Sequence, residues 1–193
     1  MSKCLAGVVV AVALAAIPGV AGAQTAPPAG QKFTLSGNLL RGNTNIQRDL
    51  LEAAEKMPEA DYQFKPTAET RPFGQLVAHV ALSQFGGCAA LKGEPSPKKD
   101  EKEETTRTKA QYVALLKESA AYCEPVFATI TEDNVLGLVP VRNNEVARGL
   151  FLAGANAHGN EMYGTMAVYL RLKGLVPPTT ERQNAAQKKT GGE

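Results

Sequence analysis

The sequence lacks the motifs that mark several large classes of enzyme. It contains no P-loop, no G-x-G-x-x-G dinucleotide fingerprint and no serine between the glycines of a nucleophile elbow, which argues against nucleotide-dependent chemistry and against an α/β-hydrolase. Histidine is scarce, so His79 and His158 are the only residues that can supply an imidazole. No segment alternates apolar and polar residues over a useful length, and the sequence therefore predicts no strands.

An excess of either charge sign is also absent. The chain has 21 basic and 19 acidic side chains, and 20 basic side chains remain when Lys3 is subtracted with the N-terminal segment. A nucleic-acid-binding domain carries a basic face, so this balance predicts no nucleic-acid partner. The densest charged run, KKDEKEE at residues 98–104, mixes both signs, and we interpret it as a solvated loop.

The N-terminus has the layout of a secretory signal peptide. Lys3 precedes an apolar run at residues 4–20, and an Ala-Gly-Ala cleavage site follows. We therefore predict a signal peptide at residues 1–23, a flexible leader at residues 24–33, and an exported protein that is periplasmic or secreted. The alternative is a retained transmembrane helix, which needs about 20 apolar residues. Pro18 interrupts the run, so no stable membrane insertion is expected after cleavage.

The cysteine content fits an exported protein with one crosslink. Cys4 is removed with the signal peptide, which leaves Cys88 and Cys123 in an oxidising compartment. Two cysteines without a Cys-x-x-Cys spacing predict a single structural disulfide between them. The alternative is that both residues are buried free thiols.

Apolar residues recur at spacings of three and four through four long segments, as they do in amphipathic helices. The segments cover residues 39–57, 72–92, 109–130 and 145–173. Four such helices without strands predict an all-α domain, a four-helix bundle over residues 34–178. We interpret residues 131–145, between the third and fourth helices, as irregular, and the polar residues 179–193 as a disordered tail.

The positions of the two cysteines bear on the direction of the middle helices. Cys88 lies about 16 residues into the second helix and Cys123 about 14 into the third, so at about 1.5 Å rise per residue they share a height only if the helices run parallel. A disulfide needs Cα atoms within about 7 Å. Residues 93–107, at about 3.3 Å each, are long enough to cross back along a helix. A disulfide would therefore favour a parallel pair joined by a long crossover.

Two stretches carry a resemblance to a known family. They are FGQLVAHV in the second predicted helix and YGTMAVYLRLKGLVPP at the end of the fourth, which follows AHGNEM. Over roughly residues 38–178 the chain resembles the DinB-like superfamily of four-helix-bundle proteins. The resemblance implies an up-down-down-up bundle with a long crossover between helices 2 and 3, in agreement with the parallel pair inferred from the cysteines.

The resemblance also implies a metal site. Many members bind a divalent metal through three histidines, one on helix 2 and two on helix 4, four residues apart. His79 matches the first position and His158 the second, but Met162 stands at the third. Zinc takes nitrogen, thiolate or carboxylate ligands, whereas a thioether suits Cu(I) better. Judged alone, each histidine would be read as a hydrogen-bonded core residue.

The sequence leaves three functions open. In the first, the bundle has lost its reaction and serves as a non-catalytic or stress-related binding module without a metal, and Met162 fills the space of an imidazole. In the second, a zinc- or nickel-dependent enzyme of the thiol transferase or hydrolase type uses His79 and His158. In the third, the protein binds copper through both histidines and Met162. The expected partner is an unknown small molecule or a thiol, and a homodimer is a further expectation.

Overall fold

The computed structural model describes residues 32–190, which form a mostly helical fold. The helices are α1 (Leu35–Lys56), α2 (Phe73–Lys92), α3 (Lys109–Ala128), α4 (Arg148–Leu172) and α5 (Pro178–Thr190), with a 3₁₀ turn at Glu59–Asp61 and strands β1 (Leu138–Val141) and β2 (Asn144–Ala147). The all-α prediction is confirmed, and α1 to α4 match the four predicted helices except at their ends. The predicted signal peptide and nearly all of the leader lie outside the described residues. Within the described range, no helix combines the length and apolar character needed to cross a membrane.

The prediction that the segment between α3 and α4 is irregular is wrong in part, because this segment contains a short β-hairpin. β1 pairs antiparallel with β2, from Leu138 opposite Ala147 to Val141 opposite Asn144. Arg142, in the two-residue turn, has a φ of 56°. Strands of four residues are too short to display a clear period of two, which is why the sequence pattern did not reveal them. The hairpin also delays the start of α4 relative to the prediction.

The prediction of a disordered tail is wrong over most of its length, because that segment forms α5. Arg182 in this helix forms ion pairs with Asp49 and Glu52 of α1. The Thr179 N–H donates to the Tyr163 hydroxyl oxygen on α4 at 3.0 Å. The composition of the tail resembles that of disordered segments, and contacts with the rest of the fold, which composition does not reveal, hold it in place.

Side-chain contacts close to the helix ends determine where α1 stops and α3 starts. Pro58 has no N–H, so the Ala54 carbonyl lacks its intrahelical donor, and the Tyr62 hydroxyl donates to it instead at 2.6 Å. Thr108 precedes α3 in a capping box, in which its hydroxyl accepts from the Gln111 N–H and the Gln111 side chain accepts from the Thr108 N–H. Both boundaries therefore follow from residues near them in sequence.

The buried side chains form two clusters. The first, here the aromatic cluster, combines aliphatic residues of α1, α2, α3 and α4 with six aromatic residues. These are Tyr62, Phe73, Phe85, Tyr112, Tyr163 and Tyr169. The second, here the disulfide cluster, consists of Cys88, Cys123, Val126, Phe127, Ile130, Val135 and Leu152. The aromatic cluster uses the early part of α2 and α3, and the disulfide cluster uses their late part.

Contacts at both ends of α2 and α3 pair the two helices in register. Gly74 leaves space for the Tyr112 ring near their starts, since a Cβ at Gly74 would lie 2.6 Å from a ring carbon. Near their ends Cys88 is bonded to Cys123, with Cα atoms 5.5 Å apart. The predicted disulfide is confirmed, and both sulfurs are buried in the second cluster.

Candidate functional site

The two histidines meet between α2 and α4. The ring centroids of His79 and His158 lie 5.2 Å apart in an edge-to-face arrangement, with ring planes inclined by 73°. The structure therefore brings together the two imidazoles that the family resemblance assigns to one site. Neither is enclosed in the core, since the exposed fractions of the two side chains are 23% and 34%.

Close packing of α4 on α1 positions His158. The next residue, Gly159, packs so tightly that a Cβ there would lie 3.0 Å from Cγ1 of Ile46. One turn earlier, Asn156 accepts a hydrogen bond from Asn43 Nδ2 at 3.0 Å. These contacts hold the ring-bearing turn of α4 against α1, so the position of His158 depends on small and amide side chains around it.

His79 has a carboxylate partner that the sequence did not reveal. Its Nδ1 lies 2.6 Å from Oε2 of Glu103, in the segment between α2 and α3. The other oxygen of Glu103 accepts from Arg71 Nε at 2.8 Å and from Gln75 Nε2 at 3.0 Å. The interpretation of the 98–104 run as a solvated loop is therefore wrong for Glu103. The only signal in the sequence was the need of a partly buried histidine for some partner.

The electrostatics of this contact define the role of the ring nitrogens of His79. Burial alone would raise the pKa of Glu103, but hydrogen bonds from Arg71, His79 and Gln75 outweigh it and lower that pKa below its ordinary value. An ionised carboxylate only accepts hydrogen bonds, so Nδ1 of His79 is the protonated, donating nitrogen. On α4, the Tyr169 hydroxyl donates to the Arg71 carbonyl at 2.7 Å and so helps to hold this network in place.

His158 is the less satisfied member of the pair. Its Nε2 is buried and has no hydrogen-bond partner within residues 32–190. Its Nδ1 lies 3.9 Å from Oε2 of Glu161, which is too far for a hydrogen bond. Burial and the neighbouring His79 lower the pKa of His158, so its imidazole is neutral at pH 7. An orphaned buried nitrogen costs about 1–3 kcal/mol, which marks this ring as a functional candidate.

The donor set around the pair does not fit the three-nitrogen metal site that the family resemblance implies. Met162, one turn after His158, is only 8% exposed and packs in the aromatic cluster. Over the described range of the chain, no three His, Cys, Asp or Glu side chains are grouped so that they could hold a metal ion. Two imidazoles and a neutral thioether are one nitrogen short of such a site.

A cavity of about 320 Å³, here the α4 cavity, extends from His158 toward the disulfide. Its walls are mainly apolar, and both cysteines contribute to them. The lining residues are Gln47, Val80, Ser83, Gln84, Gly87, Cys88, Cys123, Phe127, Leu150, Phe151, Gly154, Ala155, His158 and Gly159. Its volume lies at the lower end of the range of small-molecule pockets, about 300–1,000 Å³, so the arrangement can enclose a compact organic ligand beside the histidine pair.

Comparisons with known proteins agree with this architecture. A crystal structure of a DinB-like protein from Bacillus cereus ATCC 10987 superposes with a TM-score of 0.62 at 15% identity, covering 75% of this chain and 96% of that one. A conserved protein from Enterococcus faecalis gives a TM-score of 0.57 at 15% identity, with 73% and 98% covered. At such identities the likeness concerns the fold alone. No curated protein matches the chain significantly. Residues 44–166 match the sequence model of the DinB superfamily, and the chain therefore belongs to that superfamily.

Proposed function

We propose that the protein is a small-molecule-binding module of the DinB superfamily, of the non-catalytic or stress-related kind. One observation carries the proposal: an apolar cavity leads to His158, while the histidine pair beside it lacks the third nitrogen of the metal site that the family resemblance implies. Met162 fills the third position with an apolar, adaptable side chain. The scaffold thus keeps a ligand-sized space without a complete donor set.

A metal-dependent enzyme, of the thiol transferase or hydrolase type, is the second candidate. Two observations favour it: Nε2 of His158 is buried without a partner, and Nδ1 of His79 is held by a carboxylate, as is usual for histidines that ligate metals. A bound zinc or nickel ion would supply an activated water or thiol. A copper site would add Met162 to the two histidines, since a thioether suits Cu(I).

Metal analysis of the full chain, purified without a histidine tag, tests the proposal. After incubation with zinc, nickel or copper and dialysis, we expect less than one equivalent of each by plasma mass spectrometry. Met162→His restores the third imidazole and is expected to gain zinc or nickel, whereas the matched Met162→Leu is not. One equivalent of zinc or nickel that disappears in His79→Ala would establish the second candidate. Copper that disappears in Met162→Leu would establish the third.

We also propose the up-down-down-up path for the bundle. The pairing of Gly74 with Tyr112 and the disulfide at the other end support a parallel α2 and α3. Between α1 and α4, contacts of Asn43 with Asn156 and of Ile46 with Gly159 advance in the same direction along both helices. The crossover then corresponds to residues 93–108, between the end of α2 and the start of α3.

Export is a further part of the proposal, supported by the signal-peptide layout of the sequence and by the disulfide, which persists in oxidising compartments. N-terminal sequencing of protein recovered from the periplasm or medium should begin at Gln24. Recovery from the cytoplasm with an intact Met1 would contradict export. Sedimentation equilibrium of the same preparation tests the expected homodimer.

A further inference from the structure

The α4 cavity has no charge with which to hold a charged ligand. None of its lining residues, all of them within the described range, carries a carboxylate, an ammonium or a guanidinium group. An ionised group that enters such a cavity loses its hydration without gaining a counter-charge. The cavity therefore discriminates against carboxylates, phosphates and ammonium groups.

A relay of side-chain hydrogen bonds ends at Gln47, one of the polar residues of the cavity wall beside Ser83, Gln84 and His158. The Ser119 hydroxyl shares its hydrogen between Gln84 Oε1 at 2.7 Å and the Leu116 carbonyl at 2.8 Å, and Gln84 Nε2 donates to Gln47 Oε1 at 2.9 Å. Each step orients the next amide, so the carbonyl of Gln47 is engaged by Gln84. This relay does not use the two hydrogens on Gln47 Nε2, and Gln47 lines the cavity. The Nε2 group can therefore donate a hydrogen bond to a ligand.

We infer that the ligand is an uncharged, mainly apolar molecule of roughly ten to fifteen non-hydrogen atoms, and that its single oxygen acceptor receives a hydrogen bond from Gln47 Nε2. The inference rests on the proposed binding function and specifies its ligand. Apolar walls supplied by Val80, Phe127 and Phe151 provide the affinity, and the amide of Gln47 provides the orientation.

The glycines of α4 provide a variant that blocks the cavity and a matched control. Gly154 lines the cavity, and a Cβ there meets no atom within 4 Å, so the side chain of Gly154→Leu starts in open space at the cavity wall. Gly164 in the same helix is equally open but does not line the cavity. Gly164→Leu therefore reproduces the change in helix propensity without obstructing the ligand.

Three probes of similar shape test the ligand class: 1-indanone, indane and indane-1-carboxylate. Each is titrated into the isotope-labelled full chain at pH 7, and Kd is taken from amide resonances of the cavity residues. We expect 1-indanone to bind about three- to tenfold more tightly than indane, as one hydrogen bond allows, and at least about tenfold more tightly than the carboxylate. Gly154→Leu should abolish the shifts, and Gly164→Leu should preserve them.

Gln47→Glu separates the role of Gln47 from the shape of the cavity. A glutamate still accepts from Gln84 but cannot donate to the probe, so the ratio of the indane Kd to the 1-indanone Kd should fall to one or below. An unchanged ratio would overturn the role of Gln47.

The titrations also separate the two levels of the proposal. Equal or tighter binding of the carboxylate at the same residues would overturn the ligand class and leave the binding function standing. Shifts from 1-indanone that persist in Gly154→Leu would place the ligand elsewhere and overturn the inference. If no probe moved a cavity resonance, both the inference and the binding function at this cavity would fail.

Discussion

The two halves of the bundle are stabilised in different ways. The aromatic cluster is closed by stacked and edge-to-face rings, among them Tyr62, Phe73 and Tyr112, with centroids 5.3–5.4 Å apart. The disulfide cluster has fewer large buried side chains and borders the α4 cavity on one side. Where side-chain packing is dense the fold needs no crosslink, and where a cavity interrupts packing a covalent bond joins α2 to α3.

The two halves therefore differ in the interaction that stabilises them. Burial of aromatic side chains supplies stability at one half of the bundle. At the other half the disulfide stabilises the fold by reducing the conformational entropy of the unfolded chain. The pairing of α2 with α3 can therefore tolerate a cavity beside it. The histidine pair lies at the boundary, where His158 belongs to the cavity wall and Met162, one turn later, belongs to the aromatic cluster.

The largest expected effect is in the aromatic half. Phe73→Ala removes a fully buried ring and should lower the free energy of unfolding by about 3–5 kcal/mol. Phe151→Ala is the matched change beside the cavity, and its smaller loss, about 1–2 kcal/mol, is expected because the ring is only partly buried. Urea unfolding followed by circular dichroism measures both. Equal losses would contradict the contrast between the halves.

Removal of the crosslink tests the other half. The double variant Cys88→Ala, Cys123→Ala opens a loop with a sequence separation of 35 and should destabilise the protein by about 3–4 kcal/mol. Reductant should destabilise the wild type by a similar amount and leave the double variant unchanged. If reduced wild type kept its full stability, packing alone would account for this half of the bundle.

Tyr62→Phe sharpens the comparison at the level of a single hydroxyl. Loss of the Tyr62 hydroxyl leaves the Ala54 carbonyl without a donor and should lower the free energy of unfolding by about 1–2 kcal/mol. Tyr122→Phe removes a more exposed hydrogen bond to Glu94 and should lower it by about 0.5 kcal/mol or less.

Burial raises the pKa of Tyr62 above the ordinary tyrosine value, which is about 10. Its stabilisation is therefore complete below pH 10 and declines as the pH rises further. Urea titrations at pH 7 and pH 10.5 measure this slope, which Tyr62→Phe should reduce.

The smallest expected effect lies at the boundary between the halves. Glu103→Gln should cost about 1 kcal/mol and should change the tautomer of His79, seen in the ¹⁵N shifts of its ring. Glu104→Gln, at an exposed neighbour, should alter neither the stability nor the tautomer.

Because the pKa of Glu103 is lowered in the folded protein, its contribution to the free energy of unfolding is present above the pKa of the unfolded chain, about 4.3. This contribution is lost as the pH falls through the pKa of the folded protein. Glu103→Gln should therefore flatten the acid limb of the stability curve. Unchanged ring shifts would show that Glu103 does not orient His79.

Local patterns in the sequence predicted the parts of the site that lie on helices. The periodicity of α2 and α4 placed His79 and His158 toward the interior, and the two rings do meet. The same patterns could not identify Glu103, which stands among seven consecutive charged residues. Which of these carboxylates reaches His79 depends on the path of the segment between α2 and α3, and a run of similar residues contains no information about that path.

The sequence alone determined the all-α class, the approximate helices and the pairing of Cys88 with Cys123, because each depends on spacing along the chain or on the number of cysteines. Tertiary structure alone decided the carboxylate on His79, the order of α5 and the α4 cavity. These features arise where segments distant in sequence come together. Arg182, for example, forms its ion pairs with Asp49 and Glu52 only when α5 lies beside α1. A cavity is likewise the space that neighbouring helices leave between them, and that space is set by their packing rather than by any one helix.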